Sequence, residues 1–163
     1  MVTIQRANVK EVQEIKQVLS ETWVDTYGSF LPKDTIQKVT TVWHNPEQLV
    51  SQIQNPDVFF GVAKDEGNTI RGLVTARKLG DDMVVIDRMY VSPQYQRKGI
   101  GSRLLEESIN AFPGIKKFLL EVEEQNTKGL SFYQKHGFKE VSRKEERVED
   151  EILMVIEMEK QLS

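Results

Sequence analysis

Val91-Ser92-Pro93-Gln94-Tyr95-Gln96-Arg97-Lys98-Gly99-Ile100-Gly101-Ser102 leaves a strand, turns at a proline and enters a helix through two glycines. On its strand side lies the apolar run Met83 to Val91. On its helix side Ile100, Leu104, Leu105, Ile109 and Phe112 recur at helical spacing until Pro113-Gly114 stops them. The first amides of a helix have no carbonyl to bond and sit at the positive end of its dipole, so such a start attracts anions. Glycine lets the backbone come close to a phosphate, and Arg97 and Lys98 add positive charge. The segment reads as a pyrophosphate cradle; a glycine-rich turn without a ligand is the alternative. A P-loop is excluded, because no Gly-Lys-Ser/Thr follows. A dinucleotide fold would explain Gly99-x-Gly101 after a strand, with Glu121 near the place of a ribose-binding acid. However, Leu104 occupies the third glycine position, and only 42 residues follow Glu121, too few for the remaining parallel strands and helices.

Outward from the cradle the hydrophobic period alternates between strand and helix. Upstream, Val58 to Ala63 is a strand closed by the turn Asp65-Glu66-Gly67-Asn68. Ile70 to Leu79 follows, then the turn Gly80-Asp81-Asp82 and Met83 to Val91. Short turns make these three strands antiparallel neighbours. Before them stand a short strand, Thr3 to Arg6, and a helix carrying Val12, Ile15, Val18, Leu19 and Trp23. One or two more helices lie between Tyr27 and Asn55, opened by Leu31-Pro32-Lys33-Asp34 and by Asn45-Pro46-Glu47. Downstream come a strand, Lys117 to Val122, and a helix, Thr127 to His136. Two final strands flank a charged turn near Val148 to Asp150, the last being Ile152 to Met158. Hairpins combined with one strand-helix-strand crossover make an α+β fold.

Composition narrows the function. The 163 residues carry no repeat or linker and read as one domain over 1–163. Without cysteine there is no disulfide, zinc-thiolate site or cysteine nucleophile, and His44 and His136 are too few for a metal centre. A net charge of −3 argues against a nucleic-acid partner. Met1 to Gln13 has no long apolar stretch, so neither signal peptide nor membrane anchor is expected, and a cytoplasmic location fits.

The run Gln96-x-x-Gly99-x-Gly101, after Met89-Tyr90-Val91-Ser92-Pro93, resembles the acetyl-CoA motif of the GNAT superfamily of N-acetyltransferases. So does its second half: Leu120-Glu121-Val122, then Asn126, then Phe132-Tyr133-Gln134-Lys135-His136-Gly137-Phe138. The resemblance implies a mixed, mostly antiparallel sheet of about seven strands flanked by about four to five helices. It implies acetyl-CoA as co-substrate, an amine acceptor and no metal. Backbone groups of Met89, Tyr90 and Val91 would pair with the pantetheine arm. The run Gln96, Arg97, Lys98, Gly99, Ile100, Gly101 and Ser102 would hold the pyrophosphate, and Asn126, Phe132 and Lys135 would lie along the cofactor.

Amine acetylation requires a neutral amine, a polarised thioester carbonyl and a proton for the departing thiolate. Lysine-like amines have a pKa of about 10.4, so a protonated acceptor must first lose a proton. By the resemblance, Tyr133 protonates the thiolate. Seven residues, roughly 700° of helix, put Tyr133 and Asn126 on one face. Tyr133 as a buried aromatic with a bonded hydroxyl, and Asn126 as a helix N-cap, remain open beside those roles. Glu121 matches the base of family members that acetylate protein N-termini; a salt-bridged strand glutamate is the other reading. Asp87 is the second choice, with pairing to Arg88 or a neighbouring strand as its alternative. Glu123 and Glu124 are expected at the solvent, and Arg143 to Asp150 as a solvated hairpin.

Acceptor choice is expected in Glu11 to Asn55, which holds Trp23, Tyr27, Phe30, Leu31, Trp43 and His44; these are also plausible core residues. Thr22-Trp23-x-x-Thr26-Tyr27 with Leu31-Pro32 resembles GNAT proteins of which some acetylate polyamines. A protein amine is equally compatible with the sequence. A non-catalytic acyl-CoA sensor on the same fold is the alternative function. The oligomeric state stays open, with an exposed last strand offering an edge for a homodimer.

Overall fold

The computed structural model describes residues 1–162. The chain runs β1 (Thr3–Arg6), α1 (Val12–Tyr27), α2 (Lys33–Val42), α3 (Pro46–Gln54), β2 (Val58–Lys64), β3 (Ile70–Leu79) and β4 (Met83–Val91). It continues through α4 (Ile100–Asn110), β5 (Lys117–Glu123), α5 (Thr127–Lys135), β6 (Lys139–Val148) and β7 (Glu151–Gln161). The strands form one sheet in the order β1-β2-β3-β4-β5-β7-β6. Every neighbouring pair is antiparallel except β4 and β5, which run parallel because α4 carries the chain back between them. The mostly antiparallel seven-stranded sheet with five helices is the expected fold.

Period-two alternation sends side chains to both faces, and each face is covered. On one face Ile100, Leu104 and Leu105 of α4 pack on Val74, Ile86, Phe118 and Leu120. On the other, Ile15 and Leu19 of α1 and Leu49 of α3 pack on Phe60, Val62 and Leu73. A third cluster joins Trp23, Ile36 and Val39 to Val148, Leu153 and Val155, tying α1 and α2 to the β6–β7 hairpin. Each buried aliphatic side chain of this kind contributes about 1.5–3 kcal/mol. Asn45 caps α3 through Oδ1, which accepts the Gln48 N–H at 2.9 Å, with Pro46 in the first turn.

Two expectations need correction. The last strand is not an edge: β7 lies between β5 and β6, and the edges are β1 and β6. The reason is in its residues, since Leu153, Val155, Ile156 and Met158 are buried, whereas β6 is charged and exposed up to Val148. The hairpin is therefore solvated mainly along β6, and its Val148 is core. Secondly, β5 runs one residue beyond Val122, to Glu123.

Candidate active site

The site begins where two strands part. β4 pairs with β5 only from Met83–Lys117 to Ile86–Leu120; beyond that, β4 stays with β3 and β5 stays with β7. A β-bulge marks the parting. Ala76 pairs with Ile86 and Thr75 with Arg88, so Asp87 is the extra residue. A bulge bends its strand and sharpens its twist, which swings the end of β4 away from β5. The ladder alternation then fixes which backbone groups face the gap. Ser92 donates to the Arg71 carbonyl at 2.8 Å, so Tyr90 opposite Leu73 also spends its N–H and C=O on β3. Those of Met89 and Val91 point into the gap.

Past Val91 the chain makes one short 3₁₀ turn, Pro93–Tyr95, and two left-handed steps, Arg97 at φ 61° and Gly99 at φ 83°. For Arg97 the left-handed conformation costs about 1–2 kcal/mol, which Gly99 avoids. The first bond of α4 runs from the Arg103 N–H to the Gly99 carbonyl at 3.1 Å. The amides of Ile100, Gly101 and Ser102 therefore have no helical acceptor. Gln96 braces the turn, its Nε2 donating to the Val91 carbonyl at 3.0 Å. A Cβ on Gly99 would have nothing within 4 Å, so the space above the turn is open; one on Gly101 would press on Phe132 at 3.3 Å. Lys98 and Arg71 both sit over the Tyr95 ring, at 5.2 and 4.5 Å. Ser102 Oγ lies 3.0 Å from His136 Nε2 and joins α4 to the end of α5. Lys135 is exposed beside it.

Helix α5 starts on Asn126, whose Oδ1 accepts the Gly129 N–H at 3.0 Å. Asn126 is thus an N-cap, and its amide nitrogen remains free to donate. Tyr133 packs edge-on against Phe132 and Phe138, at 5.2 and 5.6 Å. Burial, and then nearby Tyr90, hold its hydroxyl well above the ordinary tyrosine range, so it is protonated at neutral pH. Tyr27 of α1 is pushed up as well, by burial first and then by Tyr90, Glu123 and Tyr133. Tyr27 thus lies near enough at the parting to feel three groups from three other elements, Tyr90, Glu123 and Tyr133.

Tyr27, Tyr90 and Glu123 border a cavity of about 420 Å³ on the α1–α3 face of the sheet, walled also by Trp23 and Trp43. Its carboxylates are Asp87, Glu121, Glu123 and Glu146. Glu121 is 41% exposed and pairs with Lys144 at 2.5 Å. Asp87 pairs with Arg77 at 2.7 Å rather than with Arg88. Burial raises the Glu146 carboxyl, Glu121 adds to this, and Lys144 opposes it. Arg88 is buried deeper, donating to Gln52 Oε1 at 2.6 Å, to the Trp43 carbonyl at 3.1 Å and to His44 Nδ1 at 3.2 Å. Burial, followed by Arg88, pushes His44 down to about 3, so it is the neutral tautomer with its proton on Nε2. Trp23 Nε1 is buried without a hydrogen bond of good geometry, although it lies near enough to the Tyr90 hydroxyl to favour ionisation there.

Glu123 departs from the sequence reading. It is 5% exposed instead of solvent-facing, while Glu124 is exposed as expected. Glu121 and Glu123 share one face of β5, but the strand was expected to end at Val122, which left Glu123 in the turn. Alternation counted one residue further would have found it. Its cover is thin, because the cavity lies in front of it. Burial still raises its carboxyl; the Gln125 N–H opposes this, and Glu124 adds to it.

A parted pair of strands with free backbone groups, followed by a left-handed turn into a helix with unbonded amides, suits a long molecule with a pyrophosphate in its middle. The acetyltransferase (GNAT) domain family matches residues 29–162. The chain belongs to this family. It is an acetyl-CoA-dependent N-acetyltransferase, with acetyl-CoA as co-substrate. The open space over Gly99, above the unbonded amides of α4, fits that molecule. A spermidine N(1)-acetyltransferase of Thermoplasma acidophilum is similar at 29% identity over 145 residues, 85% of this chain and 88% of that protein. The crystal structure of PaiA N-acetyltransferase from the same organism, in complex with coenzyme A, has TM-score 0.86 at 26% identity and covers 99% of both chains. The peptidyl-lysine N-acetyltransferase YjaB of Salmonella typhimurium is 37% identical over 60 residues, 37% of this chain and 39% of that protein. Among the described residues of this acetyltransferase no cluster of three His, Cys, Asp or Glu has the arrangement of a metal site. Among the described residues no helix is long and apolar enough to cross a membrane.

Proposed function

We propose that this GNAT enzyme acetylates a small polycationic amine of the polyamine kind. The observation that carries the reading is the cavity of about 420 Å³ beside the strand parting, with four carboxylates set among aromatic rings. Carboxylates draw an ammonium group by charge, and aromatic faces hold it by cation–π attraction worth about 0.5–2 kcal/mol. The likeness to a spermidine N(1)-acetyltransferase supports the same reading.

The chain's residues divide the work. The amides of Arg97 to Ser102, at the positive end of α4, hold the pyrophosphate, with Gln96 fixing the turn that presents them. Met89 offers its N–H and C=O and Val91 its N–H to the pantetheine arm, the Val91 carbonyl being held by Gln96, and Tyr90 contributes its ring and hydroxyl to the acceptor side. Asn126 donates from its amide, while Phe132 and Lys135 lie beside the arm. Bound there, acetyl-CoA supplies an activated acyl carbon and a thiolate leaving group. A gap-facing N–H of Met89 or Val91 polarises the acyl oxygen; one such donor is worth about 10²–10³ in rate. Tyr133, protonated at neutral pH, gives its proton to the departing sulfur.

The test is a release assay for free thiol with acetyl-CoA and a panel of spermidine, spermine, putrescine, amino acids and lysine peptides. Turnover is expected with the polyamines at a kcat/KM at least tenfold above that for peptides, roughly one charged contact's worth. Peptides exceeding polyamines would transfer the acceptor to protein amines. Silence across the panel, with coenzyme A binding intact, would remove the reading.

A further inference from the structure

Each acid at the acceptor cavity has a cation beside it, save one. Asp87 pairs with Arg77 and Glu121 with Lys144, and Glu146 feels the same lysine. Arg88 is spent on Gln52, Trp43 and His44. Glu123 has no ion pair among the described residues. Its Oε2 accepts the Gln125 N–H at 2.7 Å, which fixes the carboxylate in place. Its Oε1 takes no bond from the protein and is not sealed from solvent, so it opens on the cavity. Tyr27 from α1 feels its charge, Tyr90 from β4 and Glu146 from β6 line the same cavity, and Glu121 and Glu124 stand along its own chain segment. None of these is a cation. An ammonium entering the cavity is the counter-charge that this arrangement lacks.

We propose that Glu123, and not Glu121, takes the proton that the acceptor ammonium must lose before it can attack. This rests on the amine acetylation proposed above. One N–H bond of the ammonium breaks, its electron pair stays on nitrogen, and an O–H bond forms at Glu123 Oε1. The freed pair forms the C–N bond as the C–S bond breaks. The sulfur takes the Tyr133 proton, and the tyrosine regains one from the new amide nitrogen. The proton on Glu123 leaves to solvent, so each turnover releases one proton overall. Geometry separates the two glutamates. Glu121 lies at the rim, largely neutralised by Lys144, whereas Glu123 lies buried at the parting, within reach of Tyr27. The raised carboxyl of Glu123 makes it the better match to a protonated amine at neutral pH.

The experiment compares wild type, Glu123→Gln and Glu121→Gln with spermidine and acetyl-CoA, measuring kcat/KM from pH 6 to 10 and coenzyme A affinity by calorimetry. Glutamine keeps an oxygen for the Gln125 N–H, so folding and coenzyme affinity are expected to hold. At pH 7 the Glu123→Gln variant is expected to lose about 10²-fold or more, the usual contribution of a general base. Its kcat/KM should then climb about tenfold per pH unit toward pH 10, as free amine of pKa about 10.4 appears, while wild type stays flat. Glu121→Gln, which removes a rim charge that draws the ammonium, should raise KM, leave kcat at pH 7 nearer wild type than Glu123→Gln by at least tenfold, and keep the flat pH profile. An active wild type with Glu123→Gln within about fivefold of it at pH 7 overturns the assignment alone. A wild type that binds coenzyme A but turns over no amine overturns the parent reading, and Glu123's role falls with it.

Discussion

Acidification is expected to strike this protein first at His44. The ring is 3% exposed, accepts from Arg88 Nε at Nδ1 and carries its only proton on a buried Nε2 that has no partner. Protonating Nδ1 would set an N–H against the N–H of Arg88 and a positive charge against its guanidinium. Burial, then Arg88, therefore lowers its pKa from 6.5 to about 3. The sign follows from linkage. The unfolded chain binds this proton below pH 6.5 and the folded chain does not, so the stability is fully present above pH 6.5 and is lost as pH falls toward 3. At 1.36 kcal/mol per pH unit the whole gap amounts to about 5 kcal/mol, of which about 2 kcal/mol is gone by pH 5. The measurement is urea unfolding at pH 7.5 and 5.0 for wild type and His44→Asn, whose Oδ1 stands where Nδ1 did. Glu123 and Glu146, with raised carboxyls, gain stability on acidification, and His136, lowered slightly by burial, loses some; both variants share these groups. Wild type should lose about 2 kcal/mol more than the variant over this interval. Equal losses would refute the reasoning.

Tyr133→Phe should lower kcat by about tenfold to hundredfold, below the usual range for a general acid because water also protonates a thiolate, with coenzyme A affinity unchanged by calorimetry. Gly99→Ala, at φ 83°, should cost about 1–2 kcal/mol by urea titration or weaken coenzyme A binding at least tenfold, depending on whether the turn holds or shifts. Asn126→Ala should lose the cap bond to Gly129 and about 1 kcal/mol, while Asn126→Ser keeps a cap; weaker coenzyme A binding by both would separate the amide's contact from its capping role.

Much of the fold was legible because local patterns agree with it. The turns at Asp65–Asn68 and Gly80–Asp82 set the meander, and the stripe from Ile100 to Phe112 set the crossover helix. The turn into α4 was legible too, since proline, two glycines and an amphipathic run are sequence-local. What the sequence hid depends on pairing. The bulge at Asp87 exists only in the register of β4 against β3, and no local pattern separates a bulged aspartate from a paired one. The place of β7 inside the sheet is set by which strand meets β5. Lys144 reaches Glu121 because β6 and β7 bring residue 144 opposite residue 155, which no spacing along the chain foretells. Glu123 was lost by one residue at a strand end, where fraying makes boundaries least certain.

The extra residue at position 87 makes the sheet a wall with a window, and a window has two sides. The chamber toward α4 and α5 is framed by backbone, which tolerates few alternatives because amides and carbonyls are the same in every residue. The chamber toward α1, α2 and α3 is framed by side chains, which can be exchanged one at a time. On the proposed function, substitutions at Trp23, Tyr27, Trp43 or His44 would retune which amine is accepted while the hold on the donor stays as it is. The family match itself starts at residue 29, after α1.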